Sequence, residues 1–329
     1  MRQNLLKPLP CPTDTIDVDS PSPLNPELSL RAKRRLLQMH YEAGVGHIGG
    51  NLSSLDILLS LFHDILRPED SFILSKGHAA GALYVTLWSL GRLSDNDLQQ
   101  FHRDGTRLGG HPPARGIPEI PFATGSLGHG LSLAAGMALA RKLTGRAGRV
   151  YCLLSDGEWN EGSNWEALIF AAHRQLDNLT LMVDANGLQG FGTTREVANL
   201  GALHEKFRAF GIRADVIDGH DPLEITASLA APTDGAHPRP RVIVARTHKG
   251  CGVSFMQDKM EWHYLPMNEA QYHQAIEEIE SQAEEQERQR QEMTDHAQRI
   301  LPIARGRRTR PALRVHDRRP GLQGPGVAA

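Results

Sequence analysis

The sequence predicts an α/β fold, a mostly parallel sheet covered by helices on both faces. Two observations carry that expectation. From Pro26 to about Leu265, segments whose apolar residues recur at helical spacing alternate with short apolar runs of strand length. Two of those runs also end in an oxygen-bearing side chain, at Asp156 and Asn186, with one helix's length of chain between them.

Taken in order, residues 1–25 are rich in Pro and turn formers, which cannot continue a helix or a ladder, and are expected to form a flexible arm. Residues 26–272 make up the globular domain. In it, "SLDILLSLFHDIL" (Ser53–Leu66) has the helical spacing, while "RVYCLLS", "NLTLMVD" and "RVIVART" read as buried strands. Residues 273–302 are polar all round and predict a solvated helical extension. Residues 303–329 are rich in Arg, Pro and Gly, with too little apolar surface to offset ordering entropy, and predict a basic disordered tail.

A formal charge of -2 over 329 residues gives no whole-protein attraction to nucleic acid or anionic membrane. No apolar run approaches the ~20 residues that span a bilayer. The 3 cysteines are odd in number and widely spaced, so neither a disulfide framework nor a zinc site is suggested. A reducing, cytoplasmic setting is expected.

"RVYCLLS", "NWEALIFAAHRQ" and "NLTLMVD" together predict one β-α-β unit, whose strands would be parallel and end at the same edge, about 5 Å apart if neighbours. Asp156 and Asn186 would converge there. A carboxylate and an amide oxygen suit a hard cation such as Mg²⁺, Gly157 lets backbone approach closely, and a following helix N-terminus favours phosphate. The geometry therefore describes a metal–diphosphate site, although Asp-Gly and Asn-Gly are also plain turn dipeptides. Ser163 and Glu166 fit a capping box, which would account for Glu166 structurally. Of 16 histidines, His47, His78, His111 and His129 lie in glycine-rich stretches, and His263 lies in "MEWHYLP", which has no regular period. Such imidazoles suit proton transfer near neutral pH.

The combination of "AGVGHIGG", "DSFILSKGHAAGALY", "GGHPP", "TGSLGHGLSLAAGMALA", "SDGEWNEGSNWEA" with "VDAN", and "THKGCGVSFM" with "WHY" resembles the thiamine diphosphate-binding half of a transketolase. The likeness is to the short amino-terminal subunits of split transketolases. It implies that Asp156, Asn186 and the Leu188 carbonyl hold Mg²⁺, or another divalent cation such as Ca²⁺ or Mn²⁺. It implies cofactor contacts from His78, Gly125, Leu127, Gly157, Glu158, Asn186 and His263. His47, His78, His111 and His263 would handle the hydroxyl protons of the sugar, and Glu161 and Glu166 would lie at a subunit interface.

The activity implied is transfer of a two-carbon ketol unit from a ketose phosphate to an aldose, by a transferase of aldehyde or ketone groups. The partner implied is a C-terminal transketolase subunit carrying the pyrimidine-binding domain, in an α2β2 assembly. Three positions depart from the family pattern: Ser155 for glycine, His129 for glutamine and Cys251 for lysine. Sequence identifies no neighbour that would activate Cys251. The alternatives are another thiamine diphosphate reaction, of the deoxyxylulose phosphate synthase or 2-oxo acid decarboxylating type, and a noncatalytic binding protein of the same fold.

Overall fold

Five strands, β1 (Ser71–Leu74), β2 (Val150–Ser155), β3 (Leu179–Ala185), β4 (Arg213–Asp218) and β5 (Arg241–Arg246), form one sheet in the order β1-β2-β3-β5-β4. Every neighbouring pair is parallel. The computed structural model describes residues 24–232 and 238–305, with 294–305 as helix backbone only. The expected arm, except Leu24 and Asn25, and the basic tail beyond residue 305 lie outside the described residues.

Parallel neighbours cannot be joined by tight turns, so the chain crosses over through helices. The α-helices are α1 (Pro26–Ala43) and α2 (Ile48–Ser60) before the first strand, α3 (Ala80–Ser89), α4 (Asp95–Leu98), α5 (Gly130–Thr144), α6 (Gly162–His173), α7 (Thr194–Ala198), α8 (Leu203–Ala209) and α9 (Pro222–Ala230) between strands, and α10 (Glu269–Arg305) after the last. Local chemistry marks α1 at both ends. Asn25 accepts the Glu27 N–H at 2.9 Å, Pro26 opens the helix, and Gly44 closes it at φ +63°.

Alternate strand residues point into two separate cores. Phe72, Tyr151, Leu153, Met182 and Ile243 pack with Leu36, Leu52 and Leu83 of α1, α2 and α3. Cys152, Leu154, Leu181, Val183 and Val242 pack with Leu131, Ala135, Leu168 and Ala171 of α5 and α6. With both faces covered, no residue of β2 is left for a solvent face, which is why it reads as an unbroken apolar run. The expected strands are β2, β3 and β5. Two more were not expected: β1 is only four residues long, and β4, at the edge, carries Arg213, Asp215 and Asp218 on a half-exposed strand.

The extension drawn from residue 273 needs correction. Helix α10 begins at Glu269, and its first turns are not polar all round. Tyr272 stacks on Tyr41 with ring centroids 4.5 Å apart, while Ala275 and Ile279 are buried in the first core. Tyr272, Ala275, Ile276 and Ile279 follow the i, i+3, i+4 rule and make a narrow apolar stripe that a mostly charged composition conceals. The first compact unit runs through Ala283. In the second, from Glu284, the helix continues with Glu285 pairing to Arg288 and Gln289 along one face.

Burial also sets a pH response. His40 lies wholly inside the first core, its Nδ1–H donating to the Leu36 carbonyl at 3.0 Å and its ring 5.3 Å from Phe101. Burial pushes its pKa from 6.5 down to about 4. The unfolded chain therefore takes up the proton first as pH falls. Stability is complete above pH 6.5 and is lost on descending from about 6.5 to 4, by roughly 3 kcal/mol from this residue alone. Urea midpoints across that range should fall, and His40→Gln should make the fall shallower.

Candidate active site

The carboxyl ends of β2 and β3 meet as the pairing of Ser155 with Asp184 requires. Asp156, the next residue after β2, turns its carboxylate across this edge. Oδ1 accepts the Gly157 N–H at 2.7 Å and Oδ2 accepts the Gly187 N–H at 2.6 Å. Asn186 follows β3 by one residue, its Oδ1 accepting the Leu188 N–H at 3.1 Å. The two side chains and the Leu188 carbonyl thus share one corner. Space is tight at Gly157: a Cβ would sit 2.7 Å from Gln189 Cγ, so the Gln189 side chain would have to move.

Beneath this corner lies a buried network not foreseen from sequence. Asp184 is fully buried and accepts from Lys76 and Thr247 through very short contacts, and from Ser53 at 2.7 Å and Ser54 at 2.8 Å. Lys76 Nζ also donates to the Gly50 carbonyl at 2.8 Å. Burial pushes the Asp184 carboxyl up, but the Lys76 ammonium and these bonds outweigh it and hold the group below the ordinary range. At Asp156, burial and then the charge of Asp184 outweigh its two backbone hydrogen bonds and the more distant Lys76, and push it up to about 6. Lys249, also buried, donates to the Leu188 carbonyl at 3.3 Å and to His263 Nδ1 at 2.8 Å. Burial, then repulsion from Lys76, brings its pKa down to about 8.

A raised carboxyl and a carbonyl already drawing an ammonium mark a place that favours a cation. The donors are one carboxylate, one amide oxygen and one backbone carbonyl, an all-oxygen set that fits a hard divalent ion completed by phosphate or water. Among the described residues no group of three or more His, Cys, Asp or Glu is placed to hold a metal.

The four expected histidines converge beside it. The ring of His47 lies 5.6 Å from His78, 5.2 Å from His263 and 6.4 Å from His111, and His78 lies 5.4 Å from His263. His47 takes a left-handed conformation, φ +64°, at the head of α2, with its N–H on the His263 carbonyl at 3.1 Å. Burial lowers the pKa of all four: His263 to about 3, with Lys249 adding, and His78 well below 6.5, with Lys76 adding. They are neutral imidazoles near neutral pH. His47 Nδ1 is buried and has no protein partner.

The loop 125–128 faces the cluster, and there one sequence expectation needs correction. Glu158 is fully buried, and its carboxylate takes Ser75, the Gly128 N–H at 3.0 Å and the Ser155 N–H at 3.2 Å. It clasps the loop to the ends of β1 and β2. The Ser163–Glu166 capping box does not form: Ser163 donates instead to the Gly128 carbonyl at 2.8 Å, and α6 has no side-chain cap. Tertiary contact with the loop outcompetes the local cap.

Gly125, at φ +140°, lies against Gly77 and His111, where any Cβ on Gly77 would fall 2.7 Å from Gly125 Cα. Leu127 is half-buried in this loop, and Glu161, just before α6, and Glu166, within it, are exposed. His129 is exposed, its Nδ1–H turned back onto the Ser126 and Leu127 carbonyls. The missed residues, Lys76, Lys249, Asp184, Ser53 and Ser54, were visible only as polar letters inside the motifs. A lysine next to glycine reads as solvated unless its burial is known.

Oxygen donors at the carboxyl edge of a parallel sheet, with a glycine amide and neutral imidazoles beside them, make this the coenzyme-binding domain of an α/β enzyme. Comparison with known proteins supplies the family. Residues 30–311 match the transketolase thiamine diphosphate-binding domain, and the chain belongs to the transketolase family. One relative is a subunit of the apulose-4-phosphate transketolase of Phocaeicola vulgatus, 36% identical over 270 residues that cover 79% of this chain and 95% of that one. A 6-deoxy-6-sulfo-D-fructose transketolase subunit of a Clostridium species is 38% identical, with 73% of this chain and 90% of that one covered. Human transketolase is 37% identical over 75% of this chain but only 40% of its own length. The fold matches the crystal structure of the Campylobacter jejuni transketolase with a TM-score of 0.69 and 29% identity, over 77% of this chain and 42% of that one.

Proposed function

We propose that this chain is the diphosphate-binding subunit of a two-chain transketolase. With thiamine diphosphate, a divalent cation such as Mg²⁺ and a partner subunit carrying the pyrimidine-binding domain, it transfers a two-carbon ketol unit from a ketose or ketose phosphate to an aldose. The observation that carries this reading is the coverage: nearly the whole length of relatives named as subunits, but less than half of single-chain transketolases. An α2β2 assembly with its sites between chains fits that division, with Glu161 and Glu166 exposed on α6 for the partner. The two described cysteines are free, which favours a reducing, cytoplasmic setting. No described helix is long and apolar enough to cross a membrane.

Bound thiamine diphosphate supplies the carbon nucleophile for breaking and making the ketose carbon–carbon bond. The protein's part is binding, orientation and proton transfer. Asp156, Asn186 and the Leu188 carbonyl would hold the cation. Gly157, His78 and His263 would contact the diphosphate, the Gly125 backbone would take the pyrimidine amine, and Leu127 would pack by the thiazolium ring. His47 and His111, kept neutral by burial, can accept a hydroxyl proton and return it, a positioned base being typically worth ~10² to 10⁴ in rate, while His78 and His263 border the same cluster. Lys249 supports His263 from behind through the 2.8 Å contact.

The test is activity with ketose phosphate donors for this chain and a candidate partner, copurified and apart. Turnover by the pair and by neither alone is expected; full turnover by the single chain would sink the subunit reading, and turnover with pyruvate in place of a ketose would redirect it. His111→Ala should leave thiamine diphosphate affinity unchanged within about two-fold while lowering kcat about 100-fold in the assembled enzyme. Calorimetry and steady-state rates on the same preparation check both halves.

A further inference from the structure

The segment 155–163, which runs from the end of β2 into α6, and the loop 124–130, which leads into α5, are tied together at Gly128. The Gly128 N–H donates to Glu158 Oε1 at 3.0 Å, and its carbonyl accepts the Ser163 hydroxyl at 2.8 Å. Both backbone groups of this loop residue are therefore held by side chains of the segment. Gly128 sits at φ +85°, and a Cβ on it would lie 2.6 Å from both Glu161 Cβ and Ser163 Oγ. Any larger residue would have to part the loop from the segment.

The other side of the loop is fixed to the end of β1. Thr124 Oγ1 donates to the Leu74 carbonyl at 2.6 Å, and a Cβ on Gly130 would collide with the Ser75 side chain. Ser75 in turn donates to Glu158 Oε1, while the Ser155 N–H at the end of β2 donates to Oε2 at 3.2 Å. One wholly buried carboxylate thus gathers the ends of two strands and the loop. Burial pushes that carboxyl up, against the pull of these bonds. Both of its oxygens are turned to protein donors, so it acts through what it holds.

Asp156 of the cation corner stands two residues before Glu158, and Gly125 stands three residues before Gly128. We propose, on the assignment of diphosphate and ring contacts given above, that Glu158 and Ser163 are positioning residues. They fix the separation between the diphosphate corner and the ring-binding loop, so that thiamine diphosphate meets both ends of its site already in place. A ligand gripped at two points loses affinity when one grip must first be ordered, because that ordering entropy subtracts from the binding free energy. Releasing the loop should therefore be felt by a ligand that reaches it and not by one that occupies the corner alone.

The experiment measures binding of thiamine diphosphate and of inorganic pyrophosphate, each with Mg²⁺, to the full-length chain by titration calorimetry. Pyrophosphate reports the corner, and thiamine diphosphate reports the corner together with the loop. In Glu158→Ala, thiamine diphosphate affinity is expected to fall about ten-fold while pyrophosphate affinity stays within about two-fold, and Ser163→Ala should show the same split at about three-fold. Equal losses for both ligands, or no loss for either, in the folded variants overturn the proposal. If Glu158→Ala does not fold, Ser163→Ala decides by itself, its side chain lying half-buried in the first turn of α6. A wild-type chain that binds neither ligand would sink the reading of the cation corner and the positioning role with it, a failure distinct from wild-type binding without the split.

Discussion

Asp184→Ala is expected to cost about 3–5 kcal/mol of folding stability, the penalty for leaving one partner of a buried ion pair behind. The substitution strips Lys76 of its counter-charge while both remain beneath the sheet edge, at 1% and 0% side-chain exposure. It also takes the acceptor from Ser53, Ser54 and Thr247. A melting temperature lower by on the order of 10 °C should result. Removing both charges tests the cause: Lys76→Met with Asp184→Leu should be less destabilised than Asp184→Ala, because no uncompensated ammonium remains. A double variant weaker than the single one would show that the pair matters for its hydrogen bonds rather than for its charge balance.

Asp156→Ala should do the reverse, sparing the fold and removing cofactor binding. Thiamine diphosphate affinity in the presence of Mg²⁺ is expected to fall at least about 100-fold, since the one charged ligand of the proposed cation site is gone. Burial and Asp184 hold this carboxyl up at about 6, so its ionised form is carried at a cost that the substitution relieves. Loss of the acceptor for the Gly157 and Gly187 N–H groups works against that relief. Cofactor-free stability should therefore stay within about 2 kcal/mol of wild type. Titration calorimetry and urea unfolding on the same variant separate the two effects. Retained Mg²⁺-dependent affinity would dismiss Asp156 as a ligand.

The opposite expectations for two carboxylates 28 positions apart in one β-α-β unit illustrate what was legible. Asp156 stands out in sequence because a glycine follows an apolar run, and the parallel pairing of β2 and β3 then places it beside Asn186. Asp184, one residue before the end of its own strand, gives no such sign. Its partners lie 131, 130, 108 and 63 residues away along the chain, on α2, after β1 and after β5. Glu158, which the resemblance places among the cofactor contacts, gave no sign in sequence that its carboxylate serves a loop some 30 residues earlier in the chain. The capping box at Ser163 was a valid local pattern that lost its serine to the same loop. In α10 the reverse happened: the charges were plain, and the stripe of Tyr272, Ala275 and Ile279 was hidden among them.

The sequence by itself determined the alternation of strands and helices, the parallel unit that brings Asp156 to Asn186, and the glycine-rich histidine motifs, because these are periodic or short-range patterns that local sterics and burial enforce. Only the tertiary structure decided which histidines cluster and that Lys76 and Lys249 are buried rather than solvated. Charge state and reactivity depend on desolvation and on groups within a few ångströms, and those distances are set by the crossing of strands and helices far apart in the chain.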